Sequence, residues 1–274
     1  MNTEYKPEGF LFKDAYLGNP DQRLRKLEIL SKLAEPEPWD FTVTEPKQYQ
    51  ILRNYLLYTY DRVKDEKKLS YTKDRQKMCF NTGLQTKYGE DIFAVFEINR
   101  NVDKQPWFFH GFVKQSDNVM KGFNSPDIAD YFTTPSDFIF DRTLDIQMNY
   151  EHIIDDNIKR FQEIGFYDTG LIPTLLKGAC STIKDKLKRN YKLAIPQFYT
   201  NKSTGESKIQ LLLPLYFASR EEAKLALVVE KSENQYIGKT ILTLEWAYMN
   251  SRRIVRPEVA WLKIEKRLDK ADDL

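Results

Sequence analysis

The chain holds only two histidines, and one of them has neighbours suited to work with it. In Tyr150-Glu-His-Ile-Ile-Asp-Asp-Asn157, His152 is followed three and four residues later by Asp155 and Asp156. On a helix that spacing sets carboxylates beside the imidazole. Such a carboxylate orients a general base or raises its pKa; an ordinary helix-surface hydrogen bond explains the spacing equally well. Two acids, Glu230 and Glu245, interrupt the apolar runs Leu227-Val-Val-Glu-Lys231 and Leu242-Thr-Leu-Glu-Trp246, which read as strands. An acid there points into a site, with Lys231 or Arg253 as counter-ion, or faces outward as alternate strand residues do. His152, Glu230 and Glu245 are the candidate acid–base groups. His110, behind Trp107-Phe-Phe109, reads as a sheet histidine.

A basic, aromatic stretch offers different chemistry. Lys177, Lys184, Lys186, Lys188, Arg189 and Lys192 stand against one acid, Asp185, and Asn190, Tyr191, Gln197 and Tyr199 interleave with or follow them. Tyr248, Asn250, Arg252 and Arg253 close the same segment. If folding gathers Lys184–Tyr199 with the two terminal arginines, Lys188, Arg189, Lys192, Arg252 and Arg253 would hold phosphate. Tyr191, Tyr199 and Tyr248 would stack on bases, while Asn190, Gln197 and Asn250 would read base edges. Single-stranded RNA suits that combination. A solvated helix face is the competing explanation for the lysines.

Composition narrows the field. A net charge of +2 rules out a polycation, so nucleic acid would need a local patch rather than a global field. Cys79 and Cys180 lie far apart, which suits a reducing compartment and indicates neither a disulfide framework nor zinc; no metal site is expected. Phe80-Asn-Thr-Gly-Leu84 lacks the further glycines and Lys-Ser/Thr of a phosphate loop, and neither a dinucleotide fingerprint nor a serine-hydrolase elbow occurs. No cofactor is indicated. With no signal-peptide run and no membrane-length apolar segment, a soluble cytoplasmic protein is expected.

The elements that would position these residues are legible from periodicity. Asp21 caps a predicted helix to Ala34, and Thr44 caps a second over Pro46–Lys68, so residues 1–70 form a helical cap. Met78–Thr86, Asp91–Asn99 and Pro106–Gln115 read as strands, too continuously apolar for one exposed face. Residues 116–145 are irregular. A helix over Asn149–Gln162 is followed by another from Leu171, whose Ile172, Leu175, Leu176, Ala179, Ile183 and Leu187 share one side. Leu193–Thr200, Lys208–Phe217, Leu225–Lys231 and Tyr236–Trp246 form a meander, and Glu258–Lys270 a last helix. The strand groups before and after residue 150 fit one sheet or two. The reading is a single α+β domain over 1–274, mostly antiparallel, with helices packed on the sheet.

Several runs are familiar together: Phe80-Asn-Thr-Gly-Leu84, Pro106-Trp-Phe-Phe109 with Gly111-Phe112, Arg189-Asn-Tyr-Lys192 with Ala194-Ile-Pro-Gln197, Gln210-Leu-Leu-Leu-Pro214, Leu225-Ala-Leu-Val-Val229, and Thr240-Ile-Leu-Thr-Leu244 with Ala247-Tyr248. Over about residues 10 to 262 the chain resembles an uncharacterised bacterial and fungal domain family. Members of that family can accompany predicted RNA-binding LOTUS (OST-HTH) modules. The resemblance implies an RNA-related role without assigning catalytic residues, and it adds weight to Asn81, Thr82, Asn190, Lys192, Gln197 and Gln210. The expected function is RNA or nucleotide binding. The alternatives are an enzyme acting on such a ligand, or a protein-interaction module in phage defence or toxin–antitoxin conflict.

Overall fold

The computed structural model of the chain describes residues 10–41, 48–201 and 204–263. They fall into two compact units, one ending at Asp130 and one beginning at Tyr131. Each is built on its own five-stranded sheet. The α+β class read from the sequence holds, and the strand groups on either side of residue 150 belong to two sheets.

The first unit runs α1 (Phe10–Asp14), β1 (Ala15–Tyr16), α2 (Pro20–Leu33), α3 (Gln50–Asp65), β2 (Ser70–Tyr71), β3 (Lys77–Gln85), β4 (Asp91–Ile98) and β5 (Trp107–Lys114). The strand order is β1-β5-β4-β3-β2, antiparallel except for the short parallel pair β1–β5. Period-two alternation divides the side chains between two clusters. Met78, Phe80, Ala94, Phe96 and Phe109 pack with Leu57, Tyr60 and Val63 of α3, while Cys79, Phe93, Val95 and Val113 pack with Met120. Both faces are covered, as the unbroken apolar runs require. The cap of α2 lies two residues before the expected Asp21. It is Asn19, its Oδ1 accepting from Gln22 N–H (2.9 Å) while Gln22 Oε1 accepts from Asn19 N–H (3.0 Å). The cap expected at Thr44 and Pro46 lies outside the described residues.

The second unit runs β6 (Asp145–Gln147), α4 (Tyr150–Glu163), α5 (Ile172–Arg189), β7 (Ile195–Thr200), β8 (Ser207–Leu215), β9 (Leu225–Ser232), β10 (Gln235–Thr243) and α6 (Leu244–Ser251). The order is β6-β10-β9-β8-β7, with one parallel pair, β6–β10, at the edge. The apolar side of α5 is buried through Ile172, Leu176, Ala179, Ile183 and Leu187. Two expectations are corrected. The strand read to Trp246 stops at Thr243, whose hydroxyl accepts from Trp246 N–H (3.4 Å) and so starts a helix. Glu258–Lys263 is not helical, and the rest of that expected helix lies outside the described residues.

Burial leaves one acid of α3 out of its usual range. Desolvation pushes the Asp61 carboxyl up to about 6, against a hydrogen bond from Phe10 N–H (3.1 Å) that pulls it down and the Asp65 charge that adds to the rise. A carboxyl with a raised folded pKa binds its proton more tightly when folded. Its favourable contribution is therefore complete below the unfolded value of 3.8 and is lost as pH rises through 6. Relative to wild type, Asp61→Asn should change stability little at about pH 4 and stabilise by about 1 kcal/mol near neutral pH, solvent having screened part of the shift. Urea unfolding of both proteins across that range checks it; a difference that stays constant with pH would exclude Asp61 as the titrating group.

Candidate functional site

Strand register in the second sheet lines up three polar side chains. Gln197 of β7 is opposite Gln210 of β8, which is opposite Glu230 of β9. Opposed residues share a face and stand close enough to bond side chain to side chain. Gln210 Nε2 donates to Glu230 Oε2 (2.9 Å), Gln197 Nε2 donates to Gln210 Oε1 (2.9 Å), and Asn250 Nδ2 of α6 donates to Gln197 Oε1 (3.1 Å). Lys208 Nζ closes the row 3.6 Å from Glu230 Oε1 and 3.3 Å from Glu206. The hydrogen bond to Glu206, and then the charge of Glu230, hold Lys208 above the ordinary ammonium range. Gln197 and Gln210 are buried, and the row forms the floor of a hollow of about 410 Å³ bordered by Tyr199, Lys239 and Thr240.

A second hollow, of about 560 Å³, lies at the C-terminal end of α5. Arg142, Lys188, Arg189 and Lys231 line it, all exposed, together with the exposed ring of Tyr191. None of the four cations forms an ion pair among the described residues. Its one acid, Asp141, is engaged: Oδ1 accepts from the Thr143 hydroxyl (2.6 Å) and N–H (3.0 Å), which hold its carboxyl below the usual range, with help from Lys231. Arg189 donates to Asp185 O (2.7 Å) and Arg142 to Lys188 O (3.4 Å), carbonyls near the end of α5. Cations are favoured at that end of a helix.

The expected patch therefore divides. Lys188, Arg189 and Tyr191 meet in the basic hollow, and Lys192 is exposed just beyond it. Gln197, Tyr199 and Asn250 meet in the amide-floored hollow, joined by Glu230. The earlier lysines are otherwise engaged: Lys177 lies over Tyr150, Lys186 over Tyr216, and Lys184 pairs with Asp145 at 3.6 Å. Asn190 is a turn residue, accepting from Lys192 N–H (3.1 Å). Tyr248, Arg252 and Arg253 are corrected outright. They are buried (3%, 8% and 8% exposed) in and just after α6, so a base cannot stack on Tyr248 and the arginines present no open face to phosphate.

The acid–base candidates occupy separate surroundings. His152 is exposed in the first turn of α4, with Nε2 3.4 Å from Asp156 Oδ2 of the same helix. Both oxygens of Glu230 are met, by Gln210 and Lys208. Glu245 is in the first turn of α6 rather than in a strand paired with β9, and Glu230 is in register with Ile237 instead. The Phe80–Leu84 run forms an irregular stretch of β3. Thr82 Oγ1 donates to Ile92 O (2.6 Å), and Gly83 adopts φ +72°, the left-handed region. Residues that sequence reasoning left unassigned are Arg142, Lys208 and Lys239; only strand register and helix ends bring them to the hollows.

A family model described as a domain of unknown function (DUF3825) matches residues 30–261. Neither curated proteins nor solved structures gave a match. No helix among the described residues is long and apolar enough to cross a membrane.

The buried row can be tested as one unit. Gln210→Leu removes an acceptor from Gln197 and a donor from Glu230, and should cost about 1–3 kcal/mol in urea unfolding. Gln197→Leu should cost less in that background than alone, because its best partner is already gone. Additive losses would show that the amides act independently.

Proposed function

We propose that this chain, which belongs to the DUF3825 family, binds RNA or a nucleotide through its second unit. Phosphate is held by Arg142, Lys188, Arg189 and Lys231, and Tyr191 stacks on a base. The observation that carries this reading is the basic hollow itself. Four exposed cations that form no ion pair among the described residues surround an exposed ring, and the one nearby acid, Asp141, is hydrogen-bonded by Thr143 and only loosely neighboured by Lys231. The amide-floored hollow supplies polar edges, with Tyr199 at its border as a second ring. Resemblance to a family whose members can accompany RNA-binding LOTUS modules supports the same ligand class. Glu230 serves here to orient amides rather than to move protons.

Fluorescence anisotropy with single-stranded RNA, measured across a salt series, tests the reading. Binding should weaken with salt, and Arg189→Ala or Lys188→Ala should each reduce the log–log slope by about one. Tyr191→Ala should cost about 1–3 kcal/mol of affinity with the slope unchanged. Arg253→Ala, where folded, should leave the slope alone. Undetectable binding at low salt, or an unaltered slope in Arg189→Ala, rejects the proposal.

A further inference from the structure

The first unit holds a different kind of hollow. It is small, about 70 Å³, and its walls are almost wholly apolar, formed by residues such as Phe12, Leu27, Phe96 and Phe112 from α1, α2 and the sheet. Three cations share that lining: Arg23 and Lys26 of α2 and Arg53 of α3. The guanidinium carbons of Arg23 and Arg53 lie 5.4 and 5.7 Å from the centroid of the same Phe12 ring. Lys26 Nζ lies 4.7 Å from the Phe109 ring and donates to Leu17 O (3.0 Å). None of the three forms an ion pair or side-chain hydrogen bond with a carboxylate among the described residues.

This arrangement is unfavourable as it stands. Like charges gathered on a low-dielectric surface repel, and charges brought against apolar groups lose hydration. Arg53 is exposed, yet desolvation by the surrounding rings, and then the charge of Arg23, lower its pKa, and burial lowers that of Lys26. Lys64 of the same unit, by contrast, lies over Phe10 and pairs with Asp14. Among the described residues, no acid pairs with the cations of the apolar hollow.

We infer that the hollow lined by Arg23, Lys26 and Arg53 is a binding site for a small amphiphilic anion, a carboxylate on a short hydrocarbon chain. The carboxylate meets the two guanidiniums, whose planar donors suit it. The chain enters among the phenylalanines. The volume limits the buried part to about three or four carbons, since a cavity of roughly 150 Å³ accommodates a benzene ring. This site is independent of the RNA reading, which concerns the other unit.

Pentanoate, acetate and pentanol are the probes, followed on the full-length protein by isothermal titration and by thermal shift. Pentanoate should bind about tenfold more tightly than acetate, the gain expected from partial burial of the added methylenes. Pentanol, which keeps the chain and lacks the charge, should bind more weakly than pentanoate. Arg53→Met should abolish pentanoate binding while leaving the unliganded melting temperature unchanged or higher, because the repulsion is relieved. Arg23→Met should do the same and serves if Arg53→Met fails to fold. Equal binding of acetate and pentanoate, undiminished pentanoate binding in either folded variant, or no pentanoate binding by wild type would each overturn the inference.

Discussion

A carboxylate accepts hydrogen bonds and cannot donate them, and at Glu230 that asymmetry orders the polar face of the second sheet. Because Oε2 of Glu230 must receive, Gln210 has to offer it Nε2, which leaves Oε1 of Gln210 turned toward Gln197. Gln197 must then offer its own Nε2, and its oxygen faces Asn250. One acid thus sets the orientation of three amides across β9, β8, β7 and α6. Any flip along the row would place two donors or two acceptors against each other in a buried setting, where the penalty of an unmade bond is largest. The hollow above the row consequently presents a fixed pattern of polar groups, which is what recognition of a ligand edge requires and what a set of mobile surface amides would not provide.

Helix geometry fixes the basic hollow in a different way. The final carbonyls of α5 have no intrahelical partner, and Arg189 and Arg142 donate to carbonyls in this region. Their aliphatic stems are anchored while other guanidinium donors remain available. Arg252 and Arg253 meet the opposite fate. Following a helix whose Ala247, Tyr248, Met249 and Ser251 are all buried, they are drawn into the protein with it. A run of two arginines is therefore no guide to exposure unless the preceding element has a solvent side.

How far the sequence could be read depended on whether a signal was local. The strands from Met78 to Lys231 lie within about two residues of their expected ends, because alternation and turn residues are local properties. The parallel edge strands β1 and β6, of two and three residues, are too short to show any period. α6 was hidden by composition: Leu242-Thr-Leu-Glu-Trp246 looks like one strand, and the hydroxyl that ends it belongs to a residue equally at home in a strand or a cap. The site was legible as residue types and illegible as partners. Gln197, Tyr199, Asn250 and Glu230 were all singled out, yet their union depends on register between strands and on where α6 begins. Lys184 and Lys186 read as patch members until their partners, Asp145 and Tyr216, came from distant segments.

Charge balance constrains how any ligand would reach these hollows. With 42 basic and 40 acidic residues the chain has almost no net field to draw an anion from a distance. Beyond roughly a Debye length of 8–10 Å at physiological salt, the hollow's cations are screened as well. Affinity must then arise at contact, from the few cations whose acids are absent or occupied, and not from long-range attraction. Among the described residues most ion pairs are short-range and consume their charges locally, as Lys32 does with Glu28 and Lys208 with Glu206 and Glu230. Selectivity consequently falls to what surrounds the cations: in the second unit an exposed tyrosine, in the first a wall of phenylalanines.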